Sequence, residues 1–262
     1  MSSENMDFGD FIEFSIKKKF GIIKLSRIHR GNAITTEMVK NLKNALEFCQ
    51  NSEKIRGIIL TGNGKSFTTG MDIDEIDGSD HAAVKEYEKT AASVQELFYY
   101  GKPVICAING KAMGDGVAYA LCADYRITVR GSFFMMPEIN LGVFPGTGII
   151  VLMSRVIGIP WTKKILMFAE RISAEKALEI GLVDQIVEDQ EELMKVALNK
   201  AKFLFTKNQT VLNAIKLCSN HLADKSYKEA YELEKIASAW YEHKDGAQFL
   251  KNFREKFDWD SK

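Results

Sequence analysis

The amino-acid sequence predicts a layered α/β domain followed by a helical C-terminal region. From the N-terminus to about Met136, apolar runs of strand length alternate with segments of helical pattern, which is typical of layered α/β domains. After Gly146 the apolar residues recur almost entirely at helical spacing. We therefore divide the chain into an α/β core, residues 1–200, and a helical C-terminal region, residues 201–262.

The first predicted elements are a strand pair and an amphipathic helix. Residues 11–16 and 21–25 alternate around a lysine-rich turn, as hairpin strands do. Apolar residues fall at helical spacing from 36 to 50, and the hydroxyl of Thr35 suits an N-cap because it can accept from a free backbone N–H. Three further elements follow: a buried strand at 57–61, a helix at 81–100 and a buried strand at 103–108.

The remaining elements alternate once more and then become helical. Residues 116–122 predict a helix, 125–129 and 133–135 predict strands, and 182–187 is the one later segment of strand pattern. Ser173 is a helix N-cap and Gly181 a helix stop in this interpretation. Residues 225–256 are highly charged, so we expect them to pack on another surface such as a neighbouring subunit.

Composition excludes several functional classes. Lys+Arg and Asp+Glu are both 35, so the charge balance does not favour nucleic acid or an anionic membrane as partner. The four cysteines are widely spaced without a CxxC pair, which argues against a zinc site or a disulfide framework. We find neither a signal-peptide pattern nor an apolar run of membrane-spanning length, and therefore expect a cytoplasmic protein. Metalloprotease, serine-hydrolase and Rossmann motifs are absent as well.

Two glycine-rich turns, at residues 109–116 and 142–146, and one carboxylate are the features that indicate chemistry. The segment 109–116 predicts a glycine-lined helix start, whose first N–H groups lack carbonyl partners and favour an arriving anion. Glu138 lies in an apolar stretch, where burial would raise the pKa of its carboxyl and make it a usable base. A base next to such N–H donors is suited to forming and holding an enolate.

Taken together in order and spacing, the motifs resemble those of the crotonase (enoyl-CoA hydratase/isomerase) superfamily. The resemblance is carried by Leu25-Ser26-Arg27 with Asn32-Ala33, by residues 64–73, by residues 109–124, by Pro137-Glu138 and by residues 177–184. It implies a crotonase-like spiral of ββα units with a helical C-terminal oligomerisation region, in homotrimers or hexamers. It also implies an acyl-CoA thioester as substrate, with no cofactor and no metal.

The same resemblance assigns roles to individual residues. The backbone N–H groups of Met71 and Asp115 would form the oxyanion hole, and Glu138 would be the catalytic carboxylate. For Arg27 and Arg30 a CoA phosphate contact and ordinary solvation are equal alternatives. The residues expected to contact substrate or CoA are Arg27, Arg30, Ala33, Thr69, Gly70, Asp72 and Gly114.

One departure from the family pattern separates two reactions. Hydratases of this family carry two glutamates that hold and activate one water, and one of these positions is Ala118 here. Moving a proton within an enoyl thioester needs only one base, so the resemblance favours an enoyl-CoA (delta3-delta2) isomerase. The Asp115 carboxyl either caps its own helix or acts as an auxiliary acid/base group.

Two alternatives stay open beside the isomerase. One is an enoyl-CoA hydratase or a carnitine-racemase-like crotonobetainyl-CoA hydratase. The other, from a different functional class, is a non-catalytic CoA- or RNA-binding relative. RNA binding would require a basic face, and the lysine cluster at residues 17–19 is better explained as a solvated hairpin turn.

Overall fold

A computed structural model describes residues 6–74, 81–222, 226, 228 and 229. The chain divides into two compact units, Met1–Lys202 and Phe203–Lys262. The division at residue 200 made from the sequence stays a prediction. The expectation for residues 225–256 concerns a segment that lies almost wholly outside the described residues.

The N-terminal half pairs two short strands and then builds helices on the sheet. Its elements are β1 (Ile12–Lys17), β2 (Phe20–Leu25), α1 (Thr36–Asn51), β3 (Gly57–Gly62), β4 (Ser66–Thr68) and α2 (His81–Tyr100). The Thr35 hydroxyl accepts a hydrogen bond of 3.0 Å from the Met38 N–H, which confirms the predicted cap of α1. The apolar face of α1 is fully buried against the first sheet, as its helical spacing predicts.

The second half repeats the strand–strand–helix order and ends in helices. Its elements are β5 (Val104–Ile108), β6 (Lys111–Met113), α3 (Asp115–Cys122), β7 (Tyr125–Val129), β8 (Phe133–Met135), a 3₁₀ turn (Glu138–Leu141), α4 (Ile149–Phe168), β9 (Ile172–Ser173), α5 (Ala174–Glu179), β10 (Gln185–Val187), α6 (Gln190–Phe205) and α7 (Gln209–Leu222). Helix α4 is interrupted at Gly158, whose φ is +75°.

The strands form two sheets, and within each sheet the strands lie side by side in the order in which they occur along the chain. The larger sheet has the order β1-β2-β3-β5-β7-β10 and the smaller one β4-β6-β8-β9. In the first unit both strands, β1 and β2, enter the larger sheet before α1. In the next three units the first strand enters the larger sheet, the second strand enters the smaller sheet, and a helix follows. All pairs are parallel except β1–β2 and β8–β9. This spiral of ββα units confirms the predicted fold class.

The sequence predicted one strand of the smaller sheet, β8, and missed the other three. Strands β4 and β6 have three residues each and β9 has two, which is too short for an alternating pattern to show. The predicted strand 182–187 is a strand only at β10, because the N–H groups of Leu182 and Val183 donate to the Ala177 carbonyl at 2.8 and 3.2 Å. Gly181 has φ +80° directly after α5, as expected of a helix stop.

No helix within the described ranges combines the length and the apolar character that a bilayer crossing demands.

Candidate active site

A cavity of about 400 Å³ lies between α2, the start of α3 and the 3₁₀ turn with the loop that follows it. Its walls are mostly apolar, and its polar groups are few. The apolar side chains are those of Met71, Ile73, Val84, Ala118, Met136, Leu141, Val143, Phe144 and Ile149. Tyr87, Glu88, Asp115 and Glu138 also line it. An apolar cavity with a few convergent polar groups is the usual form of a small-molecule site.

The start of α3 presents one backbone donor to this cavity. Gly114 is the N-cap and has φ +51°, a conformation that favours glycine. Its carbonyl accepts from Val117 and Ala118 at 2.9 and 3.2 Å, so the first turn is already closed. Among the described residues, the Asp115 N–H has no protein acceptor. It is therefore a free donor at a helix N-terminus.

A second donor comes from the segment after β4. Ile34 donates to the Gly70 carbonyl at 2.8 Å and accepts from the Asp72 N–H at 2.9 Å. These two bonds flank Met71, and its own N–H has no acceptor in the described part of the chain. A Cβ on Gly70 would lie 3.4 Å from the Asp115 nitrogen. The fold thus brings the two predicted oxyanion-hole segments into contact.

Glu138 begins the 3₁₀ turn and is half-buried. A Cβ on Gly114 would lie 3.1 Å from its Oε1, so the carboxylate stands beside the helix start. Its Oε2 is buried and has no hydrogen-bond partner among the described residues. Burial raises the pKa of Glu138, a hydrogen bond from its own backbone offsets part of that rise, and the Asp115 charge adds to it. Such a carboxylate has the properties of a general base.

The Asp115 carboxyl accepts a hydrogen bond from Tyr87, a residue that the sequence analysis did not name as part of the site. The Tyr87 hydroxyl donates to Asp115 Oδ2 at 2.6 Å, and Tyr87 is only 3 % exposed. Burial raises the pKa of Asp115, while the Tyr87 hydrogen bond lowers it. Gly114 is the N-cap and no side chain caps α3, so the interpretation of Asp115 as a helix cap is wrong. The sequence shows Tyr87 only as part of the apolar face of α2.

Ala118 lies one turn after Asp115 and lines the cavity with a methyl group. It is buried, so its position faces the reaction space rather than solvent. The cavity wall therefore carries neither acid nor base at this point. The arrangement can hold one oxyanion with two backbone donors and move one proton with Glu138.

Comparison with known proteins identifies the family. The profile described as enoyl-CoA hydratase/isomerase matches residues 15–262, which is nearly the whole chain. The chain belongs to the enoyl-CoA hydratase/isomerase family. The family acts on acyl-CoA thioesters, and the recognition made from the sequence motifs is confirmed.

Most of the curated relatives compared are named as hydratases, and one is named as an isomerase of a different substrate, 1,2-epoxyphenylacetyl-CoA. The chain is 30% identical over 220 residues to a crotonyl-CoA hydratase of Syntrophomonas wolfei, covering 83% of this chain and 84% of that one. It is 31% identical over 233 residues to a 1,2-epoxyphenylacetyl-CoA isomerase of Escherichia coli, covering 86% and 88%. The crystal structure of an enoyl-CoA hydratase from Bacillus anthracis superposes with TM-score 0.89 at 27% identity, covering 94% and 97%.

Some of the residues predicted to contact substrate or CoA line the cavity, whereas the two arginines bind carboxylates of the protein itself. Thr69, Gly70 and Gly114 line the cavity. Arg27 instead binds buried Asp72 at 2.5 Å and the Ala33 carbonyl at 3.1 Å, and is 14% exposed. The more exposed Arg30 pairs with Asp74 and lies 3.6 Å from Asp72. The CoA contacts of these residues stay predictions.

No group of three or more His, Cys, Asp or Glu side chains suited to a metal ion occurs in the described ranges.

Proposed function

We propose that this protein is an enoyl-CoA isomerase that moves a double bond from C3 to C2 of an acyl thioester. One observation carries the proposal: the Glu138 carboxylate adjoins Gly114, while the cavity wall at Ala118 offers only a methyl group. Isomerisation needs one base that takes a proton and returns it. Hydration in addition needs a group that holds the attacking water.

The proposed reaction runs through an enolate. The thioester oxygen accepts hydrogen bonds from the Met71 and Asp115 N–H groups. Glu138 takes a proton from C2, and the electron pair of that C–H bond delocalises onto the thioester oxygen. Protonated Glu138 then returns the proton to C4, the C3–C4 double bond becomes single, and a C2–C3 double bond forms. Each backbone donor would contribute about 3 kcal/mol to lowering the barrier.

The apolar wall supports an aliphatic acyl chain as the part of the substrate inside the cavity. Leu141, Val143 and Phe144 follow Glu138 in sequence and line the same cavity as Val84 of α2. The buried Gln95 amide donates to the Thr147 hydroxyl at 2.7 Å and ties this loop to α2. Apolar surface removed from water on both sides of the chain favours binding.

Hydration of a 2-enoyl-CoA is the second candidate function. It is supported by the Asp115 carboxyl, which lines the same cavity as Glu138, and by the name of the Syntrophomonas wolfei relative. A crotonobetainyl-CoA hydratase is a variant of this candidate. In a hydratase, Asp115 would have to hold the attacking water, because the methyl group of Ala118 cannot.

The experiment offers each substrate separately. We expect trans-3-hexenoyl-CoA to be converted to a 2-hexenoyl-CoA of unchanged mass, and crotonyl-CoA to stay largely unhydrated. Liquid chromatography with mass spectrometry separates the two outcomes, because a hydrated product is heavier by one water. Rapid hydration of crotonyl-CoA without migration of the 3-enoyl double bond would show that the isomerase assignment is wrong. Binding of both thioesters without turnover would favour the non-catalytic alternative.

A further inference from the structure

The cavity contains two carboxyl residues, and in the proposed reaction it also has to bind the negatively charged enolate oxygen of the substrate. Asp115 and Glu138 both line it, and the Asp115 charge contributes to the raised pKa of Glu138. The proposed enolate oxygen would bind to the backbone N–H of Asp115 itself. In a poorly solvated site, an unrestrained carboxylate this close would oppose the charge that the donors stabilise.

An aspartate at a helix start presents a second hazard. Its side-chain oxygens can accept from the free N–H groups of the first turn and thereby occupy the donors of an anion site. The structure shows no such bond, since no side chain caps α3. The described contact of the carboxyl is instead the 2.6 Å hydrogen bond from the Tyr87 hydroxyl.

Helix α2 holds Tyr87 in place for this contact. Tyr87 is buried on the face of α2 that packs against α3. Near the other end of the same pair of helices, the Phe98 and Tyr119 rings lie 5.6 Å apart between centroids. Because Tyr87 is buried between packed helices, its hydroxyl can take few positions. Its hydrogen bond therefore fixes the orientation of the Asp115 carboxyl.

We propose that Tyr87 is a positioning residue, whose hydroxyl holds the Asp115 carboxyl against α2 and so keeps the Asp115 N–H free for the enolate oxygen. This inference rests on the enolate chemistry of the proposed function. It does not depend on whether the enolate is later protonated at C4 or arises by addition of water. Tyr87 touches no reacting atom in this role and acts only through Asp115.

The test measures enolate binding directly. Acetoacetyl-CoA is a suitable probe, because its enolate absorbs in the near ultraviolet and its bound fraction needs no turnover. Tyr87→Phe should weaken enolate binding about tenfold, because the released carboxyl can accept from the first-turn N–H groups and one such hydrogen bond must break before the enolate binds. Asp115→Asn removes the charge but keeps the backbone N–H, and should strengthen enolate binding roughly threefold.

The double variant decides whether Tyr87 acts through Asp115. In an Asp115→Ala background, Tyr87→Phe should change enolate binding by less than about twofold, because neither a charge nor a side-chain oxygen is left to restrain. Tyr100→Phe is the matched control, since it removes a hydroxyl from the exposed end of the same helix. An equal loss from Tyr87→Phe in both backgrounds would overturn the proposal, as would no loss in either.

Asp115→Asn keeps the proposal testable if Tyr87→Phe fails to fold. A tenfold weaker enolate complex in this single variant would mean that the carboxyl helps the enolate, which is opposite to the proposal. The isomerase assignment is judged separately, on the products of 3-hexenoyl-CoA. Enolate binding that follows the expected pattern in a protein without isomerase activity would contradict the proposed function alone.

Discussion

Replacing Glu138 by glutamine removes the charge of the proposed base and keeps a side chain of nearly the same size. The substitution leaves the Gly114 turn and both backbone donors in place. It also removes the basic Oε2, which is buried without a partner among the described residues. We therefore expect binding of acyl-CoA to survive and proton transfer to fail.

The expected loss follows from the surroundings of Glu138. General bases contribute about 10²–10⁴-fold to rate, which corresponds to roughly 3–5 kcal/mol of barrier. Asp115 is bound to Tyr87, and the Glu88 carboxylate stands beside Gly146 on another side of the cavity. Because neither replaces Glu138 next to Gly114, we expect kcat to fall by about 10³-fold or more.

The same variant should be more stable than the unmodified protein at neutral pH. Burial raises the pKa of Glu138 in the folded state, so ionisation of this carboxyl opposes folding. That destabilisation is absent below the unfolded pKa, grows as the pH rises toward the folded pKa, and is constant above it. Glutamine does not ionise. The stability advantage of the variant should therefore be present at neutral pH and disappear in acid.

Two measurements check this prediction. Turnover of 3-hexenoyl-CoA is followed by chromatography, and the free energy of unfolding by urea titration at neutral and acid pH. Glu88→Gln is the matched control, with the same substitution in the same cavity. Near-normal kcat in Glu138→Gln would refute the base assignment, and an equal loss in Glu88→Gln would show that a general charge effect had been mistaken for a base.

Four further predictions concern the site, the fold and the assembly. Ala118→Glu adds a carboxylate one turn after the oxyanion donor, so the ratio of crotonyl-CoA hydration to isomerisation should rise. Gly114→Ala forces φ +51° on a residue with a Cβ 3.1 Å from Glu138 Oε1, and should lower kcat by about tenfold or more. Asp72→Ala leaves Arg27 buried without its carboxylate and should cost about 3–5 kcal/mol in urea unfolding. Sedimentation should show a trimer or a hexamer.

Each of these has its own contrary result. An unchanged reaction ratio in Ala118→Glu would mean that position 118 does not reach the water site. Normal kcat in Gly114→Ala would show that the positive φ of Gly114 at the start of α3 is not needed for activity. Asp74, at 66% exposure, is the control for Asp72, and Asp74→Ala should cost about 1 kcal/mol or less. A monomer at micromolar concentration would contradict the expected assembly.

Several predictions that rested on a local signal were correct. The cap at Thr35 and the apolar spacing of α1 depend on neighbours within a few residues, and the structure has both. The glycine turn before α3 is equally local, because a single residue with φ +51° opens it. The strands β4, β6 and β9 were missed because two or three residues carry no period, whereas β8, equally short, was recognised as a wholly apolar run.

The structure brings together several residues that the sequence named, but the sequence did not show which neighbours those residues would contact. Glu138, the two donor segments and the methyl at Ala118 could be named in advance, because each occupies a position in an ordered series of motifs. The role of Tyr87 could not be named, because a buried tyrosine on a helical face looks like any core aromatic. The Arg27–Asp72 pair was also hidden, since a lone arginine gives no sign of which carboxylate it will meet.

By itself the sequence determined the family and most of the longer strands and helices, and it singled out Glu138 as the candidate base. Only the tertiary structure decided that Glu138 stands beside Gly114, that Tyr87 takes up the Asp115 carboxyl, and that Arg27 is bound within the protein. The last two contacts join residues 28 and 45 positions apart. Helical and strand periods act over a few residues, whereas such contacts depend on how whole elements pack, and packing is set by the chain as a whole.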